Sequence, residues 1–158
     1  MAEIQYREAN ESDIPAMAQL RSDVWGTEEY WIKRISGYMR GETDPQQALK
    51  PRIFYIALED GETIGFIAGH LTHRYECEGE LEWINVVPEY RGKGISRELL
   101  QLLARWFAGQ NSLHVCVNVD PANAAALNFY RRHGADNLNE HWLVWKDISV
   151  VLGNKYLL

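Results

Sequence analysis

The junction between a strand pattern and a helix pattern near the middle of the chain most constrains the fold. A strand-like run at 81–87 is followed by Pro88-Glu89-Tyr90-Arg91-Gly92-Lys93-Gly94, and an amphipathic helix pattern then begins at Ile95. Glycines let a backbone approach a ligand closely, and the free N–H groups of a first helical turn attract an anion. The sequence therefore predicts a phosphate-binding loop between a strand and a helix.

The common nucleotide-binding motifs do not match this loop. Gly92 and Gly94 supply the first pair of a G-x-G-x-x-G motif, but Arg97 stands where the third glycine belongs. A mononucleotide P-loop needs Ser or Thr after its lysine, whereas Lys93 is followed by Gly94. These mismatches argue against a nucleotide-binding α/β domain.

A second block, from residue 118 to residue 135, predicts a strand end, a turn and a helix. Asp120-Pro121 ends the strand, and Asn123 is a good N-cap for the alanine-rich stretch that follows. Tyr130 lies in this helix. Taken alone, it is better explained as a packed aromatic with its hydroxyl at the surface.

Together the two blocks resemble the GNAT superfamily of acetyltransferases. Residues 91–96 are similar to the family's [Q/R]-x-x-G-x-[G/A] loop, with Ser96 in place of Gly or Ala. Residues 123–135 are similar to its N-x-x-A-x-x-x-Y-x-x-x-G-F element, with Ala135 in place of the aromatic. The overall resemblance extends from near residue 3 to near residue 147, although only these two blocks are specific.

The resemblance implies an α/β (α+β) GNAT fold, in which a mixed, mostly antiparallel twisted sheet of six or seven strands is flanked by about four helices. The expected order is β-α-α-β-β-β-α-β-α-β. We expect one domain over residues 1–158, with a core at 3–147 and a tail at 148–158. The segment Val150–Leu158 is expected to be a tail, a strand extension or a contact with another chain, so a homodimer remains open.

Hydrophobic periodicity predicts the other elements. Helices begin near Asn10 and at Thr27, and a polar loop covers Gly41–Pro51. Strands are predicted at Ile4–Arg7, Arg52–Leu58, Thr63–Leu71, Glu80–Val87, Leu113–Val119 and His141–Lys146.

The cofactor implied by the resemblance is acetyl-coenzyme A. Its pyrophosphate would be held by the loop, and its pantetheine arm by Asn123 and the helix of Tyr130. Backbone groups at a bulge in the fourth strand would pair with pantetheine and polarise the thioester. The corresponding residues are Arg91, Gly92, Lys93, Gly94, Ile95 and Ser96 for the loop, and Asn85, Val86 and Val87 for the bulge.

The resemblance also implies acetyl transfer by direct attack of an amine in a ternary complex. Tyr130 would protonate the leaving thiolate, and Glu82 would deprotonate the amine. Glu80 shares a strand face with Glu82 if the strand is regular, so either is a candidate base. A chain of water molecules in place of a carboxylate base is the alternative.

Aromatic and acidic residues in the first two helices and the loop between them predict a pocket for a small cationic amine. The candidate residues are Trp25, Glu28, Tyr30 and Trp31, with His73 on the opposite wall. Packing into the core is the competing interpretation of each aromatic. A non-catalytic acyl-CoA-binding domain and a protein N-terminal or lysine acetyltransferase remain alternatives for the function.

Composition excludes several other classes of protein. A formal net charge of −6 and a pI near 5.4 leave no basic stripe for nucleic acid. Cys77 and Cys116 lack metal-binding spacing and suit a reducing cytoplasm, and His70 and His73 should face opposite ways. We therefore expect no metal, no membrane partner and a cytoplasmic location.

Overall fold

A computed structural model describes residues 3–42 and 48–153. Within these ranges the chain forms seven strands and four α-helices, with short 3-10 turns between some of them. The elements are β1 (Ile4–Glu8), α1 (Ile14–Ser22), α2 (Glu28–Arg40), β2 (Ala48–Glu59), β3 (Glu62–Thr72), β4 (Gly79–Val86), α3 (Ile95–Gly109), β5 (Val115–Asn118), α4 (Ala124–Arg132), β6 (Asp136–Asn139) and β7 (Trp142–Trp145).

Local side-chain signals determine where two of the helices begin. The Thr27 hydroxyl accepts a hydrogen bond from the Tyr30 N–H at the start of α2. The Asn123 side chain accepts one from the Ala126 N–H at 3.0 Å, which confirms its prediction as the N-cap of α4. These bonds satisfy N–H groups that a helix start otherwise leaves without partners.

The strands form one mixed sheet in the order β1-β2-β3-β4-β5-β7-β6. All neighbours are antiparallel except β4 and β5, which are parallel and pair only over Gly79–Leu81 and Val115–Val117. Among the described residues the two strands are not paired beyond Leu81, although β4 continues to Val86. A gap therefore opens between them toward the carboxyl ends of both strands.

A one-residue bulge in β4 changes which face its side chains cover. Gly69 is opposite Leu81 and Ala68 is opposite Trp83, so Glu82 is the extra residue. As a result Leu81 packs with the core on one face of the sheet and Trp83 with the core on the other.

The predicted position of this bulge, at Asn85, Val86 and Val87, is wrong. Asn85 and Val86 are paired regularly with Phe66 and Gly65 of β3. The Val87 N–H donates to the Ile64 carbonyl at 2.9 Å. A bulge depends on register across two strands, which the pattern of one strand does not determine.

Each face of the sheet is covered by its own pair of helices. Helices α1 and α2 cover one face, where Met17, Ile35 and Tyr38 are fully buried. Helices α3 and α4 cover the other, where Leu99 and Phe107 are fully buried. The gap between β4 and β5 is therefore accessible from both layers of the fold.

Two predicted boundaries near the middle and end of the chain are wrong. Strand β2 begins at Ala48, inside the predicted loop at Gly41–Pro51, of which 43–47 lie outside the described residues. Ile148–Leu152 forms a 3-10 turn packed on α3 instead of a tail, with Gln101 Nε2 donating to the Val151 carbonyl at 3.1 Å. Residues 154–158 are also outside the described part of the chain.

Strand β6 was not predicted from the sequence. Its four residues, Asp136–Asn139, are all exposed at the sheet edge, so they have no hydrophobic alternation to reveal a strand. Across 3–42 and 48–153, no helix has both the length and the apolar character that crossing a membrane requires.

Candidate active site

The loop before α3 forms an anion-binding cradle. Gly92 and Gly94 adopt φ angles of 77° and 83°, which glycine alone adopts without strain. Gly94 is the N-cap of α3 and has no side chain to occupy the first-turn N–H groups. The first intrahelical bond here runs from the Glu98 N–H to the Gly94 carbonyl, so the N–H groups of residues 95–97 have no carbonyl partner within the helix.

Positive charge surrounds this cradle. A cavity of about 600 Å³, here called the outer cavity, is lined by the predicted loop residues Arg91–Ser96 together with Tyr90, Arg97, Phe129, Arg132 and His133. Burial, then Arg132 and Arg97, lower the pKa of His133. Four guanidinium or ammonium groups beside a helix N-terminus are suited to a phosphate-bearing ligand.

Two further cavities continue from the outer cavity toward the gap between β4 and β5. The middle cavity, of about 420 Å³, shares Arg91, Ser96 and Phe129 with the outer one. The inner cavity, of about 450 Å³, shares Arg21, Ile84, Asn123, Ala126 and Tyr130 with the middle one. Because neighbouring cavities share walls, they form one groove from the cradle to the inside of the sheet.

Predicted cofactor residues line this groove. Asn85 and Val86 are in the wall of the middle cavity with Ser96. Val87 is not in the lining of any of the three cavities. Asn123 lines both the middle and inner cavities, as does Tyr130.

Glu80 and Glu82 meet at the inner end of the groove, as their shared strand face predicts. Both line the inner cavity, and their carboxylates lie 3.5 Å and 3.8 Å from the two ring nitrogens of the buried His70. Burial, and then the charge of Glu80, raise the pKa of the Glu82 carboxyl. His70, Arg34 and Arg74 oppose that rise. A carboxylate with a raised pKa is a more effective general base.

Two arginines pair with these carboxylates. Arg34 lies 3.5 Å from Glu82 and Arg74 lies 3.1 Å from Glu80. The Tyr38 hydroxyl is 2.7 Å from His70 Nδ1. When this hydroxyl donates, the imidazole proton lies on Nε2 and faces Glu80.

The same cluster has a spacing that a metal ion could bridge. The ligand atoms of His70, Glu80 and Glu82 lie within 4.8 Å of one another. However, each carboxylate already contacts a guanidinium, and Tyr38 contacts one imidazole nitrogen. We therefore interpret the cluster as a charge-balanced hydrogen-bonding network, and the expectation of no metal remains a prediction.

Tyr130 faces the groove from α4. Its side chain is buried against Trp145 and Phe129, and burial raises the pKa of its phenol well above the ordinary value. Arg21 partly opposes that rise. Among the described residues the Tyr130 hydroxyl has no hydrogen-bond partner, so it is a protonated donor available to a ligand in the groove.

The predicted acceptor residues are not brought together in the inner cavity. Trp31 is 3% exposed and packs edge-on against Trp83, so it belongs to the core. Trp25 and Tyr30 pack on Trp31 but remain about half exposed. Glu28 and His73 are exposed as well, and none of Trp25, Glu28, Tyr30, Trp31 and His73 lines the three cavities.

The structure adds residues that the sequence analysis missed. Arg21, Arg74, Asn118, Asp120 and Trp142 line the inner cavity, and Arg34 and His70 contact its carboxylates. One signal could have identified Arg21, because it is three and four residues after the buried Ala18 and Met17 of α1 and so is on the helix's inward side. The positions of the other residues in the site depend on how separate strands and helices pack together, which the sequence pattern of one element does not determine.

The fold agrees with comparisons to known proteins. Residues 15–135 match the model of the acetyltransferase (GNAT) family. The chain therefore belongs to this family of acyltransferases, whose members use acetyl-coenzyme A.

Sequence identity to individual relatives is low. The chain is 30% identical over 106 residues to an aminoglycoside N(6')-acetyltransferase type 1 of Stenotrophomonas maltophilia, a match covering 63% of this chain and 65% of that enzyme. The chain thus spans less than two thirds of the length of the first curated relatives it matches.

Solved structures support the fold. An aminoglycoside N-acetyltransferase in complex with coenzyme A superposes with a TM-score of 0.74 at 19% identity, covering 88% of this chain and 91% of that one. The PaiA N-acetyltransferase of Thermoplasma acidophilum, also with coenzyme A, gives 0.67 at 18% identity, covering 92% and 99%.

Proposed function

We propose that the protein transfers an acetyl group from acetyl-coenzyme A to a primary amine of a small molecule. Before the transfer, the positively charged amine lies beside the Glu82 carboxylate. The observation that carries this proposal is the continuous groove. Its outer end is a four-cation cradle at a helix N-terminus, and its inner end holds the carboxylates of Glu80 and Glu82 and the buried phenol of Tyr130.

The cradle fits the cofactor's pyrophosphate because the first-turn N–H groups of α3 have no carbonyl partner within the helix. The first-turn N–H groups of α3 point away from the helix, and Arg91, Lys93, Arg97 and Arg132 supply compensating charge. Bound acetyl-coenzyme A would supply an acetyl thioester whose C–S bond breaks as the new N–C bond forms. The arm would lie along the middle cavity, beside Asn85 and Asn123.

The inner residues handle the protons of this transfer. Glu82 accepts a proton from the ammonium, because burial and Glu80 make it more basic than an ordinary glutamate. Tyr130 donates its hydroxyl proton to the departing sulfur. The second proton that the amine loses as the amide forms replaces the one that Tyr130 gave up, so the products are an amide and a free thiol.

The test measures thiol release from acetyl-coenzyme A with a panel of small amines, alongside a peptide with a free N-terminus. Coenzyme A binding is measured separately by calorimetry. Release with small amines supports the proposal. Release with the peptide alone would favour a protein acetyltransferase. Tight binding with no release from any acceptor would identify a non-catalytic acyl-CoA-binding domain.

A further inference from the structure

Arg21 is a cation in the groove that the fold does not pair with an anion. Arg34 and Arg74 each contact a carboxylate, whereas Arg21 forms no salt bridge among the described residues. Its Nε is buried without a hydrogen-bond partner. Burial lowers the pKa of its guanidinium, and the charge of Glu82 only partly compensates. Such a group is costly to retain unless a ligand pairs with it.

The side chain of Arg21 is held in one position. Its NH1 donates to Asn85 Oδ1 at 2.9 Å, and the guanidinium carbon lies 4.5 Å from the centre of the Trp31 ring. A polar contact on one edge and an aromatic face on the other fix the plane of the guanidinium. A planar guanidinium with unused donors is suited to binding a carboxylate through two hydrogen bonds.

Arg21 is placed beside the reacting groups. It lines the middle cavity with Tyr130 and the inner cavity with both Tyr130 and Glu82. An acceptor amine must reach the same position, between the base and the thioester. An anion bound by Arg21 would therefore lie only a few bonds from that amine.

We propose that Arg21 binds the carboxylate of the acceptor, which is an amino acid whose amine and carboxylate are close together. This inference rests on the proposed function. It specifies the acceptor as a zwitterion, with Glu82 facing the ammonium and Arg21 facing the carboxylate. A polycation without a carboxylate would leave Arg21 unpaired and would be repelled by it.

The experiment compares amino acids with the amines left after removal of their carboxylates. The acceptor pairs are phenylalanine and phenethylamine, methionine and 3-(methylthio)propylamine, and lysine and cadaverine. The parent protein should prefer the amino acid of each pair. Arg21→Gln should lower kcat/KM for the amino acids by about 10- to 100-fold and leave the decarboxylated amines within about threefold.

Two further variants test whether a loss is specific. Arg21→Lys keeps the positive charge but not the planar guanidinium, so part of the preference for the amino acid over its decarboxylated amine should remain. Lys33→Gln removes one exposed cation from neighbouring α2 and should change nothing. Thermal unfolding and coenzyme A affinity establish that each variant is folded.

Three outcomes would overturn the assignment. These are no preference for amino acids in the parent, no loss in Arg21→Gln, and an equal loss for both members of every pair. The last would place Arg21 at the thioester instead. If no acceptor releases thiol, the proposed function fails, and calorimetry of the same pairs on coenzyme A-loaded parent and Arg21→Gln proteins still decides whether Arg21 binds the carboxylate.

Discussion

The Tyr38 hydroxyl lies 2.7 Å from His70 Nδ1, which joins α2 to β3 beside the two carboxylates of the inner cavity. The His70 imidazole lowers the pKa of Glu82. His70→Gln should therefore raise that pKa and move the acidic limb of the kcat/KM profile to higher pH. Tyr38→Phe, which keeps the imidazole, should move the limb less. A folded His70→Gln protein with an unshifted limb would contradict this coupling.

Glu82→Gln tests the general base. The parent should lose kcat/KM as pH falls through the raised pKa of Glu82, because the protonated carboxyl cannot accept the amine's proton. The variant should lose most activity near neutral pH. It should recover partly at high pH, where more of the amine, with a pKa of roughly 10, is already neutral.

Glu80→Gln is the matched control for this experiment. A large loss for Glu80→Gln with little loss for Glu82→Gln would move the base two residues earlier along β4. An equal proportional loss at every pH for Glu82→Gln would indicate a role in binding the substrate.

Tyr130→Phe tests the acid. The hydroxyl has no partner among the described residues, so its removal should not change the thermal stability or the affinity for coenzyme A. Loss of general acid catalysis should lower kcat by about 10²-fold. Tyr55→Phe, on a strand remote from the groove lining, provides the comparison. A kcat within about twofold of the parent would assign Tyr130 to packing.

Gly94→Glu tests the cradle. The substitution places a carboxylate at the N-cap of α3 and strains a residue with a φ of 83°. Acetyl-coenzyme A affinity should fall at least about tenfold, or 1.4 kcal/mol. Gly61→Glu introduces the same charge at a φ of 79° in the β2–β3 turn, away from the cradle. Equal affinities for Gly94→Glu and the parent would reject the cradle as the pyrophosphate site.

Asp13→Asn tests the contacts of the 3-10 turn Glu11–Asp13, which directly precedes α1. Asp13 accepts two hydrogen bonds from Arg7, at 2.8 and 2.9 Å, and one from the Asn10 N–H. The Arg7 hydrogen bonds are the main cause of its lowered pKa. The ionised form therefore stabilises the fold above the unfolded pKa near 3.8, and this contribution is lost as pH falls through the folded value.

The expected cost of Asp13→Asn at neutral pH is about 1 kcal/mol of unfolding free energy, or roughly 2–4 °C in Tm. The difference from the parent should shrink in acid. Glu11→Gln removes an exposed partner of Arg40 and should have a smaller effect. A difference that grew as pH fell would contradict the sign of the Asp13 contribution.

The features predicted correctly from the sequence depend on neighbouring residues. The strand, glycine loop and helix start around Gly94 are read from adjacent positions, and so is the Asn123 cap. Alternation along one strand predicts that Glu80 and Glu82 share a face, and both line the inner cavity although the bulge falls at Glu82.

The features that were missed depend on pairing between distant segments. The bulge at Glu82 arises from its register with Ala68 and Gly69. His70 reaches both carboxylates only because β3 and β4 are aligned. Strand β6 is held by its ladder to β7 and not by a buried face, so its composition gives no signal.

The parallel ladder of β4 and β5 has a mechanical consequence. Among the described residues, the ladder between the four-stranded and three-stranded parts of the sheet is limited to the pairs from Gly79–Val115 to Leu81–Val117, next to the bonds from the Glu78 and Gly79 N–H groups to the His114 carbonyl. A ligand that fills the gap between β4 and β5 would connect the two parts of the sheet where the strands themselves are not paired. Cofactor binding should therefore increase the stability of the fold. Slower amide exchange in β4 and β5 with the ligand bound would show that the ligand helps to hold the sheet together.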